Sequence, residues 1–163
     1  MELRRLLVGT ALFGHLNAEQ LERVAACCEQ RSYAPGEVIY QQNTPARKVY
    51  LILDGLVSLD DVVDSFTFIS YERRGPKNII GAASLLGLKM YSLTATCLEP
   101  TTVIAIDVPA LERICEANPE LGYKVMAEVA FIFFQRYERA KTRLYNIFKE
   151  IPLRLVYREG SGH

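Results

Sequence analysis

Hydrophobic and polar positions change period twice along the 163-residue chain. Leu3 to Val8 reads as a short helix. Asn17 then caps a second helix, N-A-E-Q-L-E-R-V-A-A-C-C-E, with Glu19 and Gln20 in its first turn and Leu16, Leu21, Val24 and Ala25 on one apolar face. From Arg31 the pattern shifts to short runs rich in β-branched and aromatic residues. Val38-Ile39-Tyr40 follows a Pro35-Gly36 turn, and Gln42 to Pro45 is a loop. Val49 to Leu53 is a buried strand ending at Asp54-Gly55, and Leu56, Val57 and Leu59 continue after it. Phe66 to Tyr71 alternates, with Phe66 and Phe68 on one face and Thr67 and Ile69 on the other. Leu93 to Leu98 and Val103 to Ile106 complete the set. Short strands at this spacing predict a β-barrel or jelly roll rather than an α/β fold.

The third regime is helical. Asp107 caps a short helix with Pro109 near its start, and Asn118-Pro119 opens a longer one. Apolar residues then recur at Tyr123, Met126, Ala130, Phe133, Tyr137, Ala140, Leu144, Ile147 and Ile151, an unbroken 3-4 spacing that stops at Pro152. A strict 3.5-residue period is a coiled-coil signature, not mere amphipathicity. About 30 helical residues would extend about 45 Å, too far to lie wholly against one small β-roll. The spacing therefore predicts a self-associating seam and a parallel homodimer. A core stripe packed on the roll is the alternative. The flanking Arg136, Arg139, Lys141 and Arg143, interleaved with Glu138, read as e/g-type charges.

Composition narrows the function. Half the residues are hydrophobic, net charge is zero and the pI is about 6.7. A sizeable core can be buried, and nothing global points to nucleic acid or an anionic membrane. No window approaches the roughly 20 apolar residues of a membrane span, and no secretory signal is visible, so a cytoplasmic location is expected. Cys27, Cys28, Cys97 and Cys115 form no C-x-x-C pair and read as buried, reduced thiols. Enzyme signatures are missing: His15 and His163 are far apart, and there is no G-x-S-x-G, H-E-x-x-H or Walker loop. Asp60, Asp61 and Asp64 cluster near a strand end, where an acidic hairpin tip is the plainer reading and a cation site the alternative.

The segment from Gly75 to Thr96 carries the candidate chemistry: G-P-K-N-I-I-G-A-A-S-L-L, a short gap, then Y-S-L-T-A-T. It resembles the phosphate-binding cassette of the cyclic nucleotide-binding domain family, which includes the CRP/FNR regulators, kinase regulatory subunits and gated channels. There the segment runs roughly G-D-x-x-G-E-x-(A/S)-L-L, then R-(S/T)-A-T. The likeness covers roughly residues 10 to 148, including Y-A-P-G-E-V-I-Y-Q-Q, V-Y-L-I-L-D-G-L-V-S-L and T-T-V-I-A-I-D-V-P-A-L-E-R-I. It implies a mainly β fold with flanking helices: a β-roll or jelly roll (double-stranded β-helix) with N-terminal helices over residues 1–118, a dimerisation helix over 119–152 and a flexible tail over 153–163. Gly36 and Gly55 suit tight turns with positive φ, and Gly81 suits close backbone approach.

The resemblance places a ligand among Ile80, Gly81, Ala82, Ala83, Ser84, Leu93, Thr94 and Ala95, with Arg136 and Tyr137 of the long helix near the base. It also places a dimer seam at Met126, Ala130, Phe133, Tyr137, Ala140, Leu144 and Ile147. Ala82 stands where the family has its ribose-binding Glu, and Leu93 where it has its phosphate-binding Arg. Backbone donors at Ala82, Ala83 and Ser84 and the Thr94 hydroxyl remain. Losing a guanidinium from a buried phosphate costs on the order of 2–5 kcal/mol, so ordinary cyclic AMP binding is not expected. Lys89 is a candidate stand-in cation, although a solvated loop lysine is the plainer reading. Arg73, Arg74 and Lys77 read as a solvated edge.

Three readings of the pocket stay open: another, more apolar ligand; an empty pocket in a dimerising scaffold; or a cyclic nucleotide held by backbone donors. No cofactor is required and no metal site is seen. The expectation is a non-catalytic regulatory sensor module. CRP/FNR regulators carry a helix-turn-helix after the long helix. Leu153 to His163 are too few to form one, so no direct DNA binding is expected of this chain. It reads either as a stand-alone module or as the sensor half of a transcription regulator.

Overall fold

The computed structural model of the chain describes residues 2–64 and 66–150. Two helices open it, α1 (Glu2–Val8) and α2 (Ala18–Ala25). Asn17 and Gln20 form a reciprocal capping box: the Gln20 N–H donates to Asn17 Oδ1 at 2.9 Å, and the Asn17 N–H to Gln20 Oε1 at 3.1 Å. Asn17→Ala is expected to destabilise the domain by about 1 kcal/mol. Thermal unfolding followed by circular dichroism would register this as roughly 2–4 °C.

Helix α2 is shorter than its sequence pattern predicts. It ends at Ala25, and Cys28 already starts a strand. The backbone from Cys28 to Tyr33 is claimed by antiparallel pairing to residues 101–106, far along the chain.

Eight strands follow: β1 (Cys28–Tyr33), β2 (Val38–Tyr40), β3 (Lys48–Asp54), β4 (Val57–Val62), β5 (Phe68–Arg74), β6 (Ile79–Ile80), β7 (Thr94–Cys97) and β8 (Thr101–Asp107). They form two antiparallel four-stranded sheets, β1-β8-β3-β6 and β2-β7-β4-β5. The inner faces meet in one core of Ile39, Tyr40, Tyr50, Ile52, Val57, Leu59, Ile80, Tyr91, Ala95, Cys97, Val103 and Ala105. This is the mainly β roll that the strand spacing and the family resemblance predict.

Tight turns hold the strands in register. Gly55, between β3 and β4, has φ +94°, and a Cβ there would sit 2.5 Å from both the Pro100 carbonyl oxygen and Thr101 Oγ1. Gly36 has φ +85° but open space around it. Both turns use the left-handed region that only glycine enters at little cost.

The acidic run resolves differently from a hairpin tip. Asp60 is buried within β4 and accepts from Ser58 Oγ at 2.6 Å, and Asp61 accepts from Gln42 Nε2 at 2.8 Å. Only Asp64 stands at the tip. It takes the N–H groups of Phe66 and Thr67, which hold its carboxyl below the usual range.

Helix α3 (Val108–Ala117) starts on an Asp107 cap, with the Ala110 N–H donating to Asp107 Oδ1 at 2.8 Å. Helix α4 runs Pro119–Glu150. The chain divides into two compact units within α4, one ending at Val129 and one beginning at Ala130. In the first unit, Leu121, Val125 and Val129 form a buried stripe, while Tyr123 and Met126 stay exposed, and Ala130, which begins the second unit, is exposed too. The apolar band thus separates into a packed stripe and the 3-4 seam. The seam continues over the second unit as half-buried Phe133 and exposed Tyr137, Ala140, Leu144 and Ile147. Ile151, the stop at Pro152 and the tail lie outside the described residues. No helix among the described residues is long and apolar enough to cross a membrane.

Candidate functional site

The cassette begins where β5 turns at Gly75. Lys77 adopts a positive φ of 67°, its N–H donating to Ile52 O at 2.9 Å, and Asn78 Nδ2 donates to Gly75 O at 3.1 Å. These contacts set β6 against β3, pairing Ile80 with Tyr50. Gly81 follows with φ +72°. A side chain there would collide: its Cβ would lie 3.1 Å from Tyr91 Cε1, 3.2 Å from Lys48 O and 3.5 Å from Tyr40 Cε1. The expected close approach at Gly81 is therefore present, but it is made by this chain's own tyrosines.

A 3-10 turn, Ala82–Leu86, comes next. Ala82 is 3 % exposed and Ser84 is buried. The Ser84 N–H and hydroxyl both donate to Gly81 O, at 3.2 and 2.8 Å. One backbone donor expected for a phosphate is thus committed within the turn.

The return loop is fastened along its length. Ala46 N–H donates to Lys89 O at 2.8 Å, Asn43 N–H to Tyr91 O at 2.8 Å, and Tyr91 N–H to Thr44 O at 3.0 Å. Lys89 itself is exposed. Tyr91 turns its ring into the roll and stacks on Tyr40, with centroids 4.0 Å apart and planes at 18°. Tyr40 stacks in turn on Tyr50 at 5.6 Å. The Tyr91 hydroxyl donates to Lys48 O at 2.7 Å and accepts from Lys48 N–H at 3.2 Å. Burial pushes the Tyr50 and Tyr91 phenols up, so both stay neutral.

Leu93 packs, partly buried, against the core, and Ala95 is fully buried. Thr94 pairs with Asp60, and Thr96 with Ser58. Both threonines line a cavity of about 550 Å³ on the face of the sheet opposite Leu59 and Ala95. The Thr94 hydroxyl accepts from Gln42 N–H at 3.0 Å, so it braces the loop after β2 rather than pointing at the core. Arg136 and Tyr137 belong to the second unit, where the Arg136 guanidinium lies 5.4 Å from the Phe133 ring centroid.

The roll interior holds a charged pair, and one member, Arg74, departs from the solvated edge expected for it. Glu72 pairs with Leu59 and Arg74 with Val57, both core positions, so their side chains share the inner face. Arg74 is 6 % exposed. Its guanidinium is ion-paired to Glu72 and lies 3.4 Å from Asn78 Oδ1, and its Nε has no partner among the described residues. Such a pair is costly to break, because either charge left alone is uncompensated. A one-residue alternation from Arg73, whose face is open, was the available signal.

The sequence pattern singles out none of Tyr40, Tyr50, Tyr91 and Glu72 for the site, and it leaves Arg74 on a solvated edge; the structure packs the three tyrosines beside Gly81 and pairs Glu72 with Arg74. Among the described residues, no group of three His, Cys, Asp or Glu side chains is placed to hold a metal ion.

With this geometry in view, comparison with known proteins is specific. The family profile described as cyclic nucleotide-binding domain matches residues 30–118, more than half of the chain. The chain belongs to the cyclic nucleotide-binding domain family. Among solved structures, it is 29% identical to a protein of Geobacter metallireducens GS-15 entitled a cyclic nucleotide-binding protein, covering 84% of this chain and 98% of that one, with a TM-score of 0.73. The sensor domain of the transcriptional regulator DNR from Pseudomonas aeruginosa is 22% identical, covering 82% and 94%, with a TM-score of 0.67. A cyclic nucleotide-binding domain from Methylobacillus flagellatus KT is 19% identical, covering 95% and 85%, with a TM-score of 0.76. The last two likenesses speak to the fold alone. Comparison with curated proteins finds no match.

Proposed function

We infer that the chain is a non-catalytic regulatory module of the CRP/FNR sensor type, which dimerises through α4 and does not hold cyclic AMP in the family's usual way. The observation that carries this reading is the packing around the cassette. Where a ribose carboxylate and a phosphate guanidinium would be needed, Ala82 is buried and Leu93 packs, partly buried, against apolar core. The Tyr91 ring stands against Gly81, its hydroxyl satisfied by the Lys48 backbone. A cyclic phosphate entering here would give up water without gaining a fixed cation. The exposed seam of α4 supports the dimer, because a row of apolar side chains at a/d spacing is stable in water only when covered. In this reading, occupancy at the cassette alters the packing of α4, and with it the geometry of the dimer.

A second reading, a dimerising scaffold with a closed pocket, is favoured by the tyrosine stack alone. Isothermal calorimetry with cyclic AMP, cyclic GMP and a panel of less anionic metabolites separates the two. The expected result is no saturation by either cyclic nucleotide at about 100 μM, an affinity weaker than about −5.5 kcal/mol, with heat from a less polar panel member. Tight cyclic AMP binding would refute the reading of Ala82 and Leu93. Silence across the panel would leave the scaffold.

A further inference from the structure

The cavity of about 550 Å³ on the outer face of the β2-β7-β4-β5 sheet has a lining ordered along β4. Ser58, Asp60 and Val62 line it at successive two-residue steps, each about 6.6 Å. Beside Ser58 stands Arg73, its register partner on β5. Beside Asp60 stand Ser70 on one side and Thr94 on the other. Beside Val62 stands Phe68. Ser70 and Arg73 are three residues apart and would face opposite sides of a regular strand. A bulge leaves Tyr71 without a register partner and brings both onto one face. The result is a cationic step, an anionic step and an apolar step in a row.

Asp60 is the unusual member. It is only 8 % exposed, and one of its oxygens, Oδ1, accepts from Ser58 Oγ at 2.6 Å. No hydrogen bond among the described residues reaches the other, Oδ2. Ser70 Oγ lies 3.2 Å from Ser58 Oγ and is the donor there, since the Ser58 proton is committed to Asp60. Two hydroxyls thus support the carboxylate without neutralising it. Arg73 is exposed and, among the described residues, pairs with no carboxylate, although it lines the same cavity. A carboxylate this deeply buried without a counter-ion is costly. An opposite charge on the same wall, held apart from it, leaves room for a molecule that carries both signs. Val62 and Phe68, 44 % and 65 % exposed, present uncovered apolar surface at the far end.

We propose that this cavity binds a free α-amino acid with an apolar side chain. The ammonium group donates to Asp60 Oδ2, with the Ser70 and Thr94 oxygens as further acceptors. The carboxylate meets the Arg73 guanidinium, whose fork matches its two oxygens. The side chain lies along Val62 and Phe68, away from Arg73, because the charges and the apolar step follow one another in that order on β4. Two hydrogen bonds of about 2.8 Å and one amino-acid backbone between them fill a single strand step and the reach of the Arg73 side chain. The volume falls in the range of small-molecule sites. The cavity is on the opposite face of the sheet from Leu59 and Ala95, so the proposal does not rest on the reading of the cassette.

Isothermal calorimetry on the intact chain with L-phenylalanine, L-leucine, phenethylamine and 3-phenylpropionate is the test. The two amino acids are expected to saturate with a Kd below about 1 mM. Phenethylamine, which lacks the carboxylate, and 3-phenylpropionate, which lacks the ammonium, should each bind about tenfold more weakly than L-phenylalanine. Arg73→Ala, at an exposed position, should weaken L-phenylalanine about tenfold and leave phenethylamine unchanged. Asp60→Asn should weaken both L-phenylalanine and phenethylamine. No saturation by either amino acid up to about 10 mM would overturn the site. Phenethylamine binding as tightly as L-phenylalanine would overturn the zwitterionic class. L-Phenylalanine binding that Arg73→Ala leaves unchanged belongs elsewhere, the cassette included, and also defeats the proposal. The wild-type series and Arg73→Ala decide these points, so the outcome does not depend on the Asp60 variant folding.

Discussion

Leu144→Glu is expected to turn a dimer into a monomer at micromolar concentration. Leu144 occupies an a position of the α4 seam, 54% exposed in the single chain. In a symmetric dimer the substitution removes two leucine side chains from one contact, each contributing about 1.5–3 kcal/mol of burial, and brings two carboxylates together. A combined loss of about 4–6 kcal/mol corresponds to roughly a 10³–10⁴-fold weaker association. Sedimentation velocity reads the change directly. Gln135→Glu, off the seam, should leave the dimer intact. Direction is testable too: in a parallel pair Ala140 faces its own copy, so Ala140→Cys should crosslink under mild oxidation. A wild-type chain that sediments as a monomer at the same concentration removes the dimer altogether.

Gly55→Ala should produce the largest loss of stability of any single methyl addition discussed above. The new Cβ would sit 2.5 Å from two oxygen atoms and 2.7 Å from Thr101 Cα, at φ +94°. Most of these neighbours are backbone or tightly placed, so they cannot yield cheaply. The left-handed backbone costs about 1–2 kcal/mol for a residue with a Cβ, and overpacking adds about 1–3 kcal/mol. The sum, on the order of 3 kcal/mol, corresponds to roughly a 10 °C fall in melting temperature for a chain of this size. Gly36→Ala is the internal control: its φ is similarly positive at +85°, but its surroundings are empty. It should lose only about 1–2 kcal/mol. Equal shifts for the two variants would show that crowding at Pro100 and Thr101 is not what fixes Gly55.

The frame of the fold was legible because it rests on local rules. Glycines at positive φ mark the turns, strands of period two mark the sheets, and Asn17 and Asp107 cap helices as their side chains dictate. The apolar residues that recur at 3-4 spacing along α4 are exposed apart from half-buried Phe133. What was not legible depends on partners distant in sequence. Arg74 sits in a basic-looking run, yet its strand register turns it toward Val57 and Glu72. Thr94 matches a ligand-binding pattern, yet alternation with buried Ala95 sends its hydroxyl to Gln42. Tyr91 carries no motif of its own, and only the meeting of β2, β3 and the return loop makes it the filler of the cassette. The helical run through Cys28 failed for the same reason, since pairing with β8 outweighs local propensity.

The chain contains no tryptophan and nine tyrosines, so its ultraviolet signature is entirely phenolic apart from weak phenylalanine bands. Three of those rings, Tyr40, Tyr50 and Tyr91, are stacked in an asymmetric, water-poor setting beside Gly81. Coupled chromophores held this way give a near-ultraviolet dichroism that freely rotating surface tyrosines do not. The domain therefore carries its own optical gauge: any molecule that pries Tyr91 from Lys48 must change the spectrum, with no label attached.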